Sequence, residues 1–515
     1  MEEKIERDSS KNIRIGTILG YFSLALSIVS GLLYTPWIKN TIGKDSYGLY
    51  TLTTSLVNLF LIDFGLSATI NTFLAKYRAV KDENGISNFL ALAYKLFFFI
   101  DAFLVLIFTV IYFFIDKIYV GLTPEQLANF KNIYLVAALF SVFSFPCTIF
   151  SGVIQSYEKF VALKIIDIIH RVIFVCTSAL ALIFGWGLIG LVLANFGSAF
   201  LCHLFRYIYI RFAIKAKACL SYKPSKAFIK SVFFYSGWAA IQAIASRLVF
   251  NVMPSILGIV SDANNIATFG FISQLEGYVY MFGNVMGGFF LPKIARLKEE
   301  GDSRDQLEKM AIKVGKIQFF FVGLLFAGFV SCGIDFIALW LRDSATMEVY
   351  IGVIIIIAYQ LIFVPEAIYY NEMFLANKVK YLAIGSLIKA ALNCGLAFLF
   401  GKYYGALGAA ISVAISRVFE LLFINVAFKK CLKASLGTFF KSVYLRTTPT
   451  MILSTLIGLL FAMFLPISAA IRLFISGTSS VIIFVVFYML FGFTKEEKKQ
   501  FLNAIKTKRG KSPNS

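Results

Sequence analysis

Residues 17–70 read TILGYFSLALSIVSGLLYTPWIKNTIGKDSYGLYTLTTSLVNLFLIDFGLSATI. Two apolar runs flank the polar turn NTIGKDS at 40–46, and each is long enough to carry a helix across roughly 30 Å of hydrocarbon, which takes about 20 residues. The same alternation continues along the chain. Apolar runs lie near residues 13–38, 47–73, 87–114, 130–154, 160–184 and 188–212, then 232–258, 265–292, 311–341, 348–374, 380–400 and 405–428, and finally 448–467 and 470–493. The composition agrees: of 515 residues, 59% are hydrophobic and only 15% charged, against roughly 25% charged in a soluble domain. The fold class expected is therefore all-α integral membrane, with about fourteen transmembrane helices.

A formal net charge of +21 invites a nucleic-acid reading, but the basic residues sit between the apolar runs. Such clusters follow from the positive-inside rule and from anionic headgroups, so no nucleic acid is expected. Basic connections alternate with neutral ones. The amino terminus, the loop with Lys76, Arg78 and Lys81, the stretch Lys215, Lys217, Lys223, Lys226 and Lys230, the segments Lys293 to Lys309 and Lys429 to Lys441, and the tail from Lys495 fall on one side. GWG at 185–187 and VSDANN at 260–265 fall on the other, so both termini are expected to be cytoplasmic. MEEKIERDSSKN precedes a run without a small-residue cleavage site, which predicts a retained first helix. Trp37, Trp186 and Trp340 fall at outer span ends, where an aromatic belt or gap-filling between helices would place them.

The first six spans echo the second six. Pro36 and Pro254 differ by 254 − 36 = 218, and Gly187 to Gly405, Gly190 to Gly408, Lys95 to Lys313 and Arg171 to Lys389 share that offset. Pro146 with Lys159 matches Pro365 with Lys378 at 219. Two parallel-related lobes follow, 13–212 and 232–428, with 448–493 as two added helices. Parallel repeats place a substrate site where they face each other.

Ionisable groups at membrane depth cost at least about 2.5 kcal/mol each, so they tend to face a wet cavity or a partner. Arg247, Lys389 and Arg417 lie near mid-span, and Lys95 and Arg171 lie two to three turns in. Asp167 with Arg171, and Arg417 with Glu420, are spaced to pair on one helix face, whereas Arg247 and Lys389 have no acidic residue three or four positions away. The five cations Arg247, Lys389, Arg171, Lys95 and Arg417 are the candidate substrate-binding set, and basic groups of this kind suit phosphate oxygens. Asp63, Asp101, Glu276 and Glu366 are the acidic candidates for ion coupling. The seven cysteines show no CxxC spacing, His170 and His203 are too few for a metal site, and no GxxxxGK[ST] loop occurs. No cofactor, metal or catalytic residue is expected.

The opening stretch quoted above, with its late proline, YGxY at Tyr47 to Tyr50 and DFGL at Asp63 to Leu66, resembles the start of bacterial polysaccharide-export flippases. These belong to the multidrug, oligosaccharidyl-lipid and polysaccharide exporter superfamily. GVIQSYEKF after span four and GWGLIGLVLAN around span six extend the resemblance over nearly the whole chain. It implies alternating access that carries an undecaprenyl-pyrophosphate-linked oligosaccharide from the inner to the outer leaflet of the bacterial cytoplasmic membrane, coupled to an ion gradient. It does not assign the cavity residues. The expected partners are the lipid-linked oligosaccharide, membrane lipids, a polysaccharide polymerase and a coupling ion, Na+ or H+. A lipid II flippase and a drug or cation antiporter are the rivals within the superfamily, the antiporter favouring acidic over basic cavity residues. A membrane glycosyltransferase, polymerase or ligase usually needs a sizeable outer loop, and the longest here, 115–129, is short. Single cysteines at positions 223 and 441 should be labelled from the cytoplasmic face and one at 264 from outside. Labelling of position 223 from outside would break the fourteen-span path.

Overall fold

Hydrocarbon supplies no hydrogen-bond partners, so a chain that crosses it must satisfy its own backbone, as helices do. The computed structural model describes residues 2–61, 66–219, 221–222, 226–284, 294, 297, 304–342, 346–376 and 378–492, and among these every regular element is helical. Asp63 with the rest of DFG at 63–65, Lys223, Lys293 and the tail after Gly492 lie outside the described residues. In chain order the helices are α1 (Glu2–Ile42), α2 (Lys44–Phe60), α3 (Leu66–Ala79), α4 (Glu83–Ile118), α5 (Pro124–Ser144), α6 (Ile149–Ser156), α7 (Phe160–Ile183), α8 (Gly187–Tyr209) and α9 (Lys226–Phe250). They continue with α10 (Met253–Val260), α11 (Ala263–Asn284), α12 (Arg304–Leu341), α13 (Thr346–Ala358), α14 (Gln360–Phe363), α15 (Ala367–Leu375), α16 (Val379–Leu432), α17 (Leu436–Phe464) and α18 (Ala469–Phe487).

Ten helices among the described residues are long and apolar enough to cross a membrane, or eleven if Ala240–Phe250 and Met253–Val260, bent by 41°, make one span. Their large apolar side chains point outward: Leu33 is 72% exposed, Phe99 76%, Phe113 72% and Phe464 74%. Soluble monomers do not present such faces over their whole surface. The chain is a multi-pass membrane protein.

The breaks in the helices have local causes. Thr123 caps α5 in a reciprocal box with Gln126, and Pro124 occupies the first turn where its missing N–H costs nothing. Pro146 sits in a 3₁₀ turn, Phe145–Thr148, that interrupts span four, and Pro365 sits in the turn between α14 and α15 that interrupts span ten. Pro254 opens α10 after a break, whereas Pro36 lies inside the unbroken α1. Helix α16 holds 54 residues, about 80 Å at 1.5 Å per residue, far more than one crossing. Gly405 breaks it with φ 52° and ψ −130°.

Left-handed residues recur at the offset seen in the sequence. Gly187 (φ 56°) and Gly405 (φ 52°) are 218 apart, and so are Lys215 (φ 60°) and Lys433 (φ 54°), since 433 − 215 = 218. Gly187 and Gly405 each lie where one helix of a hairpin gives way to the next, a conformation that favours glycine. The lysines end the helical runs that precede them. Span thirteen begins earlier than its apolar run implies, because α17 starts at Leu436 with Phe439 and Val443 fully buried beside a basic outer face. Trp340 is buried and stacked on Phe336, filling a gap, while Trp37 and Trp186 are exposed.

The chain forms two compact units, Met1–Phe271 with Ser386–Ser416 and Ile272–Gly385 with Arg417–Ser515. In the first, α7 and α8 form a hairpin against which α1 and α5 pack. The second is built on α12, packed along α17 and α18, with a core of Phe319, Tyr369, Phe428, Phe439 and Tyr488. A charged clasp ties one end of that unit. Arg304 donates to Glu308 (2.7 Å) and to both oxygens of Glu372 (2.7 and 2.8 Å), and Glu308 also accepts from the Tyr369 hydroxyl and from the Ser435 N–H at the head of α17. Helices α12, α15 and α17 are thereby held together. Arg304→Met should lower stability by about 1.5 to 3 kcal/mol, because it removes the cation that Glu308 and Glu372 share. Lys131→Ala, which removes an exposed pair with Asp116, should cost at most about 1 kcal/mol. Thermal unfolding of the detergent-solubilised protein measures both, and equal shifts would refute the clasp.

Candidate substrate and ion sites

Four of the five candidate cations lie in the first unit. The helix breaks after Phe250, which frees backbone carbonyls in the last turn of α9. The fully buried Asn393 of α16 donates its amide to the Val249 carbonyl at 2.9 Å. Arg247 precedes Val249 by two residues, and Lys389 precedes Asn393 by one helical turn. The bond packs the helix that carries Lys389 against the end of the helix that carries Arg247. Arg247 is exposed and Lys389 half-buried.

Arg171 is spent differently. Its Nε donates to Ser30 Oγ at 2.8 Å, an Nη to the Ser27 carbonyl at 3.1 Å, and the guanidinium lies 5.5 Å from the Phe174 ring centre. These bonds staple α7 to α1. Asp167, one turn earlier, accepts from Arg206 at 2.7 Å and Lys164 at 3.3 Å. Lys95 is exposed and donates to the Tyr222 carbonyl at 2.7 Å. Asp101 is buried, and its Oδ1 has no hydrogen-bond partner among the described residues.

The second unit joins a candidate cation to a candidate acid. Arg417 donates to Glu276 at 2.9 Å with both side chains almost fully buried. Gln360 donates to the same carboxylate oxygen at 2.6 Å. The Arg417 guanidinium lies 4.8 Å from the Tyr359 ring centre, and the Tyr359 hydroxyl donates to Glu420 at 3.2 Å. Breaking such a pair leaves an uncompensated buried charge. The spacing of Arg417 and Glu420 points to an in-helix pair, and the bond to Glu276 adds a bridge between α16 and α11. Gln360 and Tyr359 carried no sequence signal, because neutral polar residues are unremarkable in a span.

Glu366 differs from every other acid described here. It is fully buried in the turn that Pro365 creates, and Asn425 approaches its carboxylate without completing a well-formed hydrogen bond. Gln360 Oε1 and Asn425 Oδ1 likewise lack donors. An ionised carboxylate without a partner is too costly to keep at such a place.

Sequence and fold comparisons fit this geometry. A family model described as polysaccharide biosynthesis protein matches residues 18–298. No curated protein matches the chain. Among solved structures, the lipid II flippase MurJ in an inward closed conformation superposes with a TM-score of 0.70 at 15% identity, over 92% of this chain and 98% of that one. An inward-facing multidrug resistance MATE family transporter of the MOP superfamily gives 0.63 at 14% identity, over 80% and 96%. A MOP superfamily transporter from Pyrococcus furiosus, described by a reversed polarity of its binding pocket, gives 0.59 at 13%, over 82% and 96%. At these identities the likeness is one of fold.

Proposed function

The chain belongs to the polysaccharide biosynthesis protein family, and from that premise we propose that it is a flippase for an undecaprenyl-pyrophosphate-linked oligosaccharide. It carries this lipid from the inner to the outer leaflet of the bacterial cytoplasmic membrane by alternating access and performs no covalent chemistry. The single observation that supports the substrate assignment is the Asn393 to Val249 bond, which packs the helix of Lys389 against the helix of Arg247. Two cations at that depth suit the phosphate oxygens of an anionic carrier. They do not suit a cationic drug, which disfavours the antiporter reading. Lipid II carries the same pyrophosphate, so the sugar that accumulates inside a deletion strain separates the two flippase readings.

The two-lobe reading, 13–212 against 232–428 with 448–493 appended, draws support from the left-handed residues that recur 218 apart. It keeps the fourteen spans with cytoplasmic termini, Gly405 dividing α16 into two of them. Coupling to Na+ or H+ is assigned to Glu366, whose buried, unpartnered carboxylate takes up one cation or one proton per cycle. A polysaccharide polymerase would receive the exported unit.

Removing a cation that bonds phosphate loses a charge-assisted hydrogen bond, about 1.5 to 3 kcal/mol, or roughly ten-fold to more than a hundred-fold in affinity. Arg247→Ala and Lys389→Ala should therefore abolish surface polysaccharide in complementation assays while the protein still accumulates in the membrane. Arg247→Lys and Lys389→Arg should retain partial export, because charge is kept and only donor geometry changes. Normal export by both alanine variants at normal membrane abundance would show that these charges are structural.

A further inference from the structure

Helix α7 has an apolar side and a charged side. Ile165, Ile169 and Val172 are exposed where the helix meets lipid, while Lys164, Asp167 and Arg171, spaced i, i+3 and i+7, share a face turned away from them. That face meets α1 and α8. Arg171 is taken up by Ser27 and Ser30 of α1. Gly20 of α1 lies against Lys164, where a Cβ would stand 3.9 Å from its Cε, and Arg206 of α8 reaches Asp167 at 2.7 Å.

Lys164 and Arg206 share this one carboxylate, so the trio carries one positive charge in excess. Asp167 gives Arg206 its Oδ1 and Lys164 its Oδ2, the latter at a long 3.3 Å. Arg206 Nε is buried and has no acceptor among the described residues. Two cations held the width of one carboxylate apart are also spaced for two oxygens of one phosphate, with the guanidinium fork fixing the geometry and the ammonium adding a point charge. The trio is reachable: the side chains of Lys164, Asp167 and Arg206 are 38%, 25% and 16% exposed. Lys164 is the fifth residue of α7, and Arg206 lies three residues before the end of α8. Each is about one turn inside a span end that the basic connections assign to the cytoplasmic face, near the level of the inner-leaflet headgroups.

We infer that Lys164 and Arg206 form an inner-leaflet site for a lipid-borne phosphate, in addition to Arg247 and Lys389, with Asp167 as the counter-ion that holds the two cations in register while the site is empty. The phosphate belongs to a polyprenyl diphosphate arriving as substrate or to a resident anionic phospholipid. The first source rests on the flippase reading above, and the site itself rests on the geometry of α7 and α8.

The test uses the full-length protein purified in a neutral detergent. Its affinity for tritiated farnesyl pyrophosphate is measured by scintillation proximity, and the phosphatidylglycerol it retains is counted by native mass spectrometry. Lys164→Gln removes a charge-assisted bond and should weaken the bound lipid phosphate about ten-fold or more. Arg206→Lys keeps the charge and loses the fork, so it should weaken binding by about three- to ten-fold. Asp167→Asn should act in the opposite direction and tighten binding by about two- to five-fold, because the ligand no longer competes with a carboxylate. A purely structural ion pair predicts no such gain. Lys131→Ala, which removes an exposed cation from the other end of the unit, should change neither readout. A response of farnesyl pyrophosphate assigns the site to the substrate's diphosphate, and a response confined to phosphatidylglycerol assigns it to a resident phospholipid. Parent affinity for both lipids in Lys164→Gln and Asp167→Asn overturns the site. Neither assay needs transport, so these shifts in a protein that exports no sugar lipid would defeat the flippase reading and leave the site standing, whereas unchanged affinities with intact export would do the reverse.

Discussion

The structure depends on one constraint: inside hydrocarbon, every backbone N–H and C=O needs a partner within the protein. A straight helix meets it by itself, and each departure from straightness has to be satisfied by a neighbour. Such departures fall where the chain has something to do. The break after Phe250 exposes a carbonyl that Asn393 takes up, and this repair sets α16 against α9. The break at Gly405 is capped by Asn265, whose side chain accepts from the Ala406 N–H at 3.0 Å. In both cases the side chain that mends the backbone also fixes the register of two helices. Backbone repair and site construction are the same event.

The low dielectric that forbids loose backbone also sorts the charges. Arg417 with Glu276, Arg472 with Asp335, and Arg206 with Asp167 are paired across helices, and such pairs hold geometry more than they add stability. Arg171 reaches the same end with two serines of α1. What is left after this pairing is informative by contrast. Arg247 is exposed, and Glu366 is buried without a bonded donor. The first suits a ligand anion, and the second suits a proton or a small cation.

Much of this was legible in the chain. Observed helices begin and end close to the apolar runs, as α7 at Phe160–Ile183 and α18 at Ala469–Phe487 illustrate. The offset of 218 led to glycines that share a left-handed backbone, and the same offset then relates Lys215 and Lys433, which no residue identity had flagged beyond charge. The early start of α17 was hidden, because Phe439 and Val443 lie in a stretch whose lysines dominate its hydropathy. The pairing choices were hidden as well. Spacing on one helix offered Glu420 to Arg417, and a neighbouring helix also brought Glu276, which spacing along one helix cannot show.

The sequence by itself determined that this is a membrane-spanning helical protein, where its helices run, which residues interrupt them and which carry charge at depth. These are local properties, set by apolar length, by proline and glycine backbone chemistry and by the cost of leaving a polar group in hydrocarbon. Only the tertiary structure decided which charges neutralise one another, that Asn393 bonds the Val249 carbonyl, that Glu366 lies fully buried beside Asn425, and that Gly48 and Gly121 lie against the carbonyls of Ala263 and Ser261. Those outcomes depend on helices hundreds of residues apart meeting within about 3 Å, a relation that packing creates and that no pattern along a single helix encodes.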